Sequence, residues 1–411
     1  MKRWIAILLT VLMVLSSVSL AVAAQKDVVE INYLTWRTQA DRHPDFLIAA
    51  FEEQNPNIKV NFQVVKTLDE FLQAQQIRLI SGTDMDVTSV RPESVKDYVE
   101  AGYLVDLTGA EFLNNYVGGS LDGITVEGKT YGVAGAINLI GIYYNADLFQ
   151  KNGVKVPESY DEFIAACQTF VDKGIVPMAN GCKEGWQTEF DIYTYFHDLM
   201  VRDEDIFAKI ASGELKYTDE IFLDTFKKIN TFYNAGYMHP DSMSLTGGDA
   251  FNLFVTQQTA MLIQGEWQAT GFDDVDMEFK LDVFPMVAEH AEGTIIPLTV
   301  GNYECVVSSS AHPEEAKLFL EFMSSPEGAS ITSTQLSSFS PVVGSKLEGE
   351  TALNLFAPML NEEKSVDFFY SRQNSVDNSE MLRLLQEMFL DMITPEELAE
   401  NLQAFHDANV N

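Results

Sequence analysis

The chain is poor in the features that announce enzymatic chemistry or nucleic-acid binding. Only three cysteines occur among 411 residues, Cys167, Cys182 and Cys305, and no two of them stand in a C-x-x-C pair. The six histidines are scattered without metal-ligand spacing, and no G-x-S-x-G, H-E-x-x-H, G-x-G-x-x-G or P-loop pattern appears. Basic residues are scarce: 26 Lys and Arg face 61 Asp and Glu. That balance excludes most polyanion binders, because a surface of this sign repels nucleic acid and anionic headgroups. After the first 24 residues no apolar run approaches the length of a membrane span.

What is present begins with a leader. MKRWIAILLTVLMVLSSVSLAVAA carries Lys2 and Arg3, an apolar stretch and the small residues Ala21-Val22-Ala23-Ala24, the pattern of a cleaved export signal over 1–24. A retained anchor is the alternative. Cleavage would leave 24 basic residues against 61 acidic ones, a net charge of about −37, in a chain of about 387 residues and about two domains. With no cysteine near the cleavage site for a lipid, a free periplasmic protein is expected. Cys167 and Cys182 either bridge in that oxidising compartment or stay reduced in the core with Cys305.

Strand and helix alternate from the start. VVEINYLTW (28–36) reads as a strand, DFLIAAFEEQ as an amphipathic helix stopped by Asn55-Pro56, and IKVNFQVV and MDVTSV as further strands. The rhythm continues through strands over 130–134 and 137–144, the helix SYDEFIAACQTFVDKG, the strands IVPMA and AMLIQ, and terminal helices over 379–392 and 395–407. This predicts α/β layers with ligands at the carboxyl ends of strands. No linker separates the domains, so several chain crossings are expected.

Beyond the leader the chain has three tryptophans, Trp36, Trp186 and Trp267, each at the end of a predicted strand or in the loop after it. A half-exposed indole facing a cleft can stack on a sugar ring and donate its N–H to a hydroxyl. The alternative is that each plugs a core. Among the few basic residues, Arg37, Arg91 and Arg372 can either donate to a ligand or pair with the abundant acids, and two converging arginines would suit a carboxylate. Asp273, Asp274 and Asp276 lack the Gly and distal Glu of a calcium loop and read as a solvated helix end.

Eight segments carry a resemblance: INYLTW, FEEQNPNIKVNF, SGTDMDV, AGYLVDLTG, VEGKTYGVAG, IYYNADLFQKNGVKVPESYDEF, TAMLIQGEWQ and HPEEAKLFLEFMSSPEG, the last followed by Phe339-Ser340-Pro341. In this order they resemble the family 1 extracellular solute-binding proteins of carbohydrate ABC importers, the maltose-binding-protein-like group, over nearly the whole mature chain. SGTDMDV departs from the pattern, since Met85 stands where such proteins commonly carry proline.

The resemblance implies a two-lobed periplasmic-binding-protein fold (type II-like), each lobe a mixed sheet flanked by helices. Crossings would fall near Gly135, Pro285 to Ile296 and Pro341, giving one lobe of 25–134 plus 290–340 and another of 135–289 plus 341–411. Its implied role is binding without catalysis or cofactor: a monomer captures a mono- or oligosaccharide and hands it to an ABC permease, with no nucleic-acid partner. A receptor for a polyamine or other polar solute, and a secreted glycoside-active enzyme, are the alternatives. Carried over residue by residue, Trp36, Arg37, Arg91, Trp186, Glu266, Trp267, Asn302, Tyr303 and Arg372 are the implied ligand-binding positions. Glu266 would accept paired hydroxyl hydrogens.

Overall fold

A computed structural model describes residues 28–36, 45–65, 67–336, 338–360 and 365–409. The leader 1–24 and Arg37 lie outside the described residues. Eight strands form the path of the main sheet: β1 (Val29–Thr35), β2 (Ile58–Val64), β3 (Val87–Val90), β4 (Val133–Asn145), β5 (Val176–Met178), β6 (Thr259–Gly265), β7 (Leu281–Val287) and β8 (Thr294–Val306). Their order across the sheet is β2-β1-β3-β8-β7-β4-β6-β5, and Ser365–Val366 pairs beside β8.

β4 and β8 explain how one sheet serves two lobes. Each is 13 residues long, and they pair antiparallel from Leu139↔Leu298 to Val133↔Glu304. The carboxyl half of β8 pairs with β3, at Tyr303↔Val90 through Val306↔Val87, whereas its first residues pair with β7. The register shifts between Val300 and Asn302, on either side of Gly301, whose missing Cβ leaves room for the Asn138 amide. Where the sequence predicts two strands over 130–144, the structure has one continuous strand from Val133. Ala134 and Ala136 pair with Tyr303 and Asn302 of β8 and carry the ladder past Gly135, whose missing Cβ leaves room for the Asn302 side chain.

Each half has its own apolar centre. In the first, Ile31 and Tyr33 of β1 pack with Leu47 and Phe51 of the helix Asp45–Gln54 and with Phe319 and Leu320 of the helix Pro313–Met323. In the second, Phe163, Phe170, Phe190, Phe196, Phe222 and Phe226 gather beneath β6 and the carboxyl half of β4. These phenylalanines are buried to within a few percent of completely, so each contributes about 2–3 kcal/mol of transfer free energy.

Local signals end the elements where polarity and glycine demand. Thr67 caps the helix Leu68–Ser81 by accepting from Glu70 N–H, and Gly82, at φ 67°, closes it. All three cysteines are buried free thiols, so the bridge between Cys167 and Cys182 does not form. Cys167 lies on the buried face of the helix Tyr160–Asp172, in the apolar core, while Cys182 points its thiol at Asp191. No helix among the described residues is long and apolar enough to cross a membrane.

Candidate ligand cleft

A cavity of about 300 Å³ opens where the two halves face each other. Leu68, Leu72, Arg91 and Glu93 line it from the first half, and Trp186, Glu189 and Tyr370 face them from the second. Arg91 arrives there because β3 ends at Val90 and Pro92 opens a 3-10 turn, which turns the chain at the strand's carboxyl end. Trp186 is carried by the short turn Gly185–Gln187 ahead of the helix Thr188–Arg202.

Arg91 is paired with Glu93 and lies 5.8 Å from the centre of the Tyr370 ring, a cation–π contact between the halves. Burial opposes its charge, but Glu93, Tyr370 and Glu189 hold the guanidinium protonated, with its pKa above the ordinary value. Glu189 is buried, and loss of solvent pushes its carboxyl up to about 7 although Arg91 and the Asn378 amide, 3.0 Å away, pull it down. Burial and the acids around it also raise the Tyr370 phenol well above its usual range, despite Arg91, so this hydroxyl stays a donor. Two buried acceptors, Glu93 Oε2 and Asn378 Oδ1, have no hydrogen-bond partner among the described residues. The cleft thus offers paired charges and an aromatic face.

The tryptophans are half-buried, neither sealed in a core nor standing free. Phe190 lies between two of them, edge-on to Trp186 at 5.5 Å and tilted to Trp267 at 6.2 Å. The Trp267 ring lies against Gly265, so close that a Cβ there would meet it at 2.2 Å. Trp36, in the opposite half, packs on Phe71 at 4.8 Å in the cluster that includes the cavity-lining Leu68 and Leu72. Glu266 is 1% exposed and accepts the Leu139 N–H at 2.9 Å, so one oxygen of the expected hydroxyl acceptor is already engaged in holding β4.

Of the expected positions that are described, Arg91 and Trp186 line the cavity, Trp36, Glu266 and Trp267 do not line it, and three more lie elsewhere. Tyr303 is a core residue: strand alternation turns it away from Asn302, and its phenol packs against Gly123 beside Val90 and Leu104. Asn302 faces Gly135 at the crossing and donates to Glu304 Oε1 at 2.6 Å, within a buried polar cluster that also holds Ser89. Arg372 is 46% exposed, bound to Asp367, and lines a different cavity. Conversely, sequence reasoning missed Glu189, Tyr370 and Asn378. The two acids, Glu189 and Asp191, within the aromatic-rich stretch TEFDIYTYF and the aromatic cluster FFYSR were the available signals for Glu189 and Tyr370.

The loop that carries Trp186 has its own support. Asn180 Nδ2 donates to Gln187 O at 2.5 Å and to Asp191 Oδ1 at 2.9 Å, and Cys182 Sγ donates to Asp191 Oδ2 at 3.1 Å. Burial raises Asp191 to about 7, against these two donors.

Residues 42–330 match the family described as bacterial extracellular solute-binding protein. Among curated relatives, the multiple sugar-binding protein of Streptococcus mutans is 26% identical over 329 residues, 77% of this chain and 76% of its own. Among solved structures, the binding protein RafE in complex with raffinose superposes with a TM-score of 0.80 at 22% identity, covering 92% of this chain and 99% of that one. A family 1 extracellular solute-binding protein from Bifidobacterium longum subsp. infantis gives 0.72 at 19% identity, over 93% and 100% of the two chains.

Proposed function

Because this chain belongs to the family of bacterial extracellular solute-binding proteins, we propose that it captures a neutral mono- or oligosaccharide in the cleft and delivers it to the permease of an ABC importer. The observation that carries the reading is the cavity shared by both halves, where Trp186 and Tyr370 stand beside charges that are already paired. A neutral, hydroxyl-rich ligand meets little repulsion there, and its apolar ring face finds an aromatic wall. The S. mutans relative is named for sugar binding, and RafE holds raffinose, which supports the same ligand class.

The proposed division keeps 25–134 with 290–340 and 135–289 with 341–411. On this division the chain passes from one body to the other near Gly135 on β4, between Pro285 and Ile296, and near Pro341. Closure would bring Trp36 and Arg91 toward Trp186, Glu266 and Trp267. Chemistry is not part of the role, and export with cleavage of 1–24 would place it in the periplasm as a monomer.

A disaccharide has about 23 heavy atoms, which at about 0.3 kcal/mol each gives roughly 7 kcal/mol and micromolar binding. That suits capture followed by release. A thermal-shift screen of neutral and acidic sugars tests the reading, since a ligand of the folded state raises the Tm. A neutral saccharide is expected to shift it; shifts by uronic acids alone would overturn the neutral assignment.

A further inference from the structure

Three acids line the cleft cavity, Asp69, Glu93 and Glu189, and each is held differently. Asp69 is exposed in the first turn of the helix Leu68–Ser81. Glu93 is spent on Arg91, and its Oε2 is sealed from solvent. Glu189 is 6% exposed and joins no ion pair among the described residues. Its Oε1 accepts the Asn378 amide at 3.0 Å, while its Oε2 has no hydrogen bond and, unlike Glu93 Oε2, is not sealed. Oε2 is therefore the carboxyl oxygen left to the cavity. The turn Gly185–Gln187 runs straight into the helix Thr188–Arg202, and residues three apart in such a run share a side, so this carboxyl stands beside the Trp186 indole.

The surroundings of Glu189 pull its charge both ways. Arg91 from the opposite half, the Asn378 amide and the start of its own helix favour the carboxylate. Glu93 opposes it, as does burial beside Tyr193 and Tyr370. Arg383, the other cation of the lining, is bound by Glu380 and Glu387. Burial prevails, and the carboxyl is held up to about 7. A hydroxyl that donates to Oε2 would tip this balance, because its bond to a carboxylate is charge-assisted and about twice as strong as one to a neutral acid.

We propose that Glu189 is the cleft's hydroxyl acceptor: it takes a sugar hydroxyl on Oε2 as the carboxylate, and capture of the sugar therefore releases its proton to solvent. This rests on the reading of the cleft as a saccharide site. The part implied for Glu266 falls to Glu189, since Glu266 is outside the cavity lining and carries the Leu139 N–H.

The test starts from a thermal-shift screen of the mature protein with maltose, sucrose, lactose, cellobiose and raffinose. The sugar with the largest shift is titrated by calorimetry from pH 6 to pH 8, in buffers of different ionisation enthalpy. If ionised Glu189 binds it tenfold more tightly than the neutral acid, affinity rises about fivefold from pH 6 to pH 8, and about half a proton leaves per sugar at pH 6.5. Glu189→Gln, which can keep the contact with Asn378, should bind about tenfold more weakly than the wild type at pH 8, with no pH dependence and no proton release. If that variant does not fold, carboxyl NMR of the wild type reads the Glu189 titration directly; its midpoint should fall on binding, and an unmoved midpoint overturns the proposal. Proton release undiminished in Glu189→Gln puts the titrating group elsewhere and overturns it. Weaker binding in Glu189→Gln beside a flat wild-type profile makes Glu189 a structural support and also overturns it. No Tm shift by any of the five sugars overturns the cleft reading and this proposal together, whereas tight binding with a flat profile overturns this proposal alone.

Discussion

Gly265→Ala is the most selective perturbation of the cleft that the structure offers. Gly265 has φ −78° and ψ 166°, an extended conformation that alanine adopts freely, so the backbone itself has no reason to move. The added Cβ, however, would stand 2.2–2.3 Å from Cη2, Cζ3 and Cε3 of Trp267. To regain ordinary contact near 3.5 Å the indole must retreat by more than about 1 Å. A sugar face covering about 60 Å² of indole is worth about 1.5 kcal/mol, so losing that contact weakens binding about tenfold. The overpacking itself should lower stability by about 1 kcal/mol.

Calorimetry with the best sugar from the screen reads the affinity, and tryptophan emission reports whether the ring moved. Altered emission with unchanged affinity would remove Trp267 from the site. If neither changes, the steric argument itself fails. Trp267→Ala should lose at least tenfold in affinity with little change in Tm.

Other expectations follow from the same geometry. Stability should fall by roughly 2 kcal/mol between pH 6 and pH 8 in urea titrations. Glu189 and Asp191 are held up to about 7 in the folded protein, so it keeps protons that the unfolded chain has already released, and this advantage is lost as pH rises through 7. A flat profile would show that these carboxyls titrate normally. His197, lowered to about 4 by burial, acts in the opposite sense, but only as the pH falls below about 6.5. Gly181→Ala would drive a Cβ to within 2.2 Å of the Gly247 nitrogen, which should destabilise the protein by about 2 kcal/mol and weaken sugar binding by shifting the Trp186 loop. Wild-type stability in that variant would mean that the two loops separate easily. The three thiols should resist a disulfide reagent in the native protein and all react in denaturant; rapid native labelling of Cys182 would contradict its burial against Asp191.

Much of the fold was legible because periodicity and punctuation agree. Asn55-Pro56 ends a helix where expected, and the strands over 28–36, 58–65 and 260–264 follow from their β-branched, aromatic and apolar content. The lining of the candidate cavity was legible where a rare residue type follows a strand, directly at Arg91 and in the next loop at Trp186. Asn302 and Tyr303 do not line it, because Asn302 is drawn into the buried polar cluster with Glu304 and Ser89 and Tyr303 into the core beside Val90 and Leu104, contacts between strands far apart in the chain that no local pattern states. Arg372 was misplaced for a related reason. A one-turn helix sends Tyr370 and Arg372 toward different cavities, and no sequence pattern states which face is the cleft. Glu189 and Asn378 stayed hidden because their meaning depends on a contact between helices almost two hundred residues apart.

The proposed function requires that one cleft grip a sugar from both sides. Hydrogen–deuterium exchange with and without the best neutral saccharide tests this most directly. Protection is predicted in 91–95, 185–191, 265–270 and 369–372 together, with little change in 205–211. Protection confined to one of the two halves, or none at saturating sugar, would contradict it.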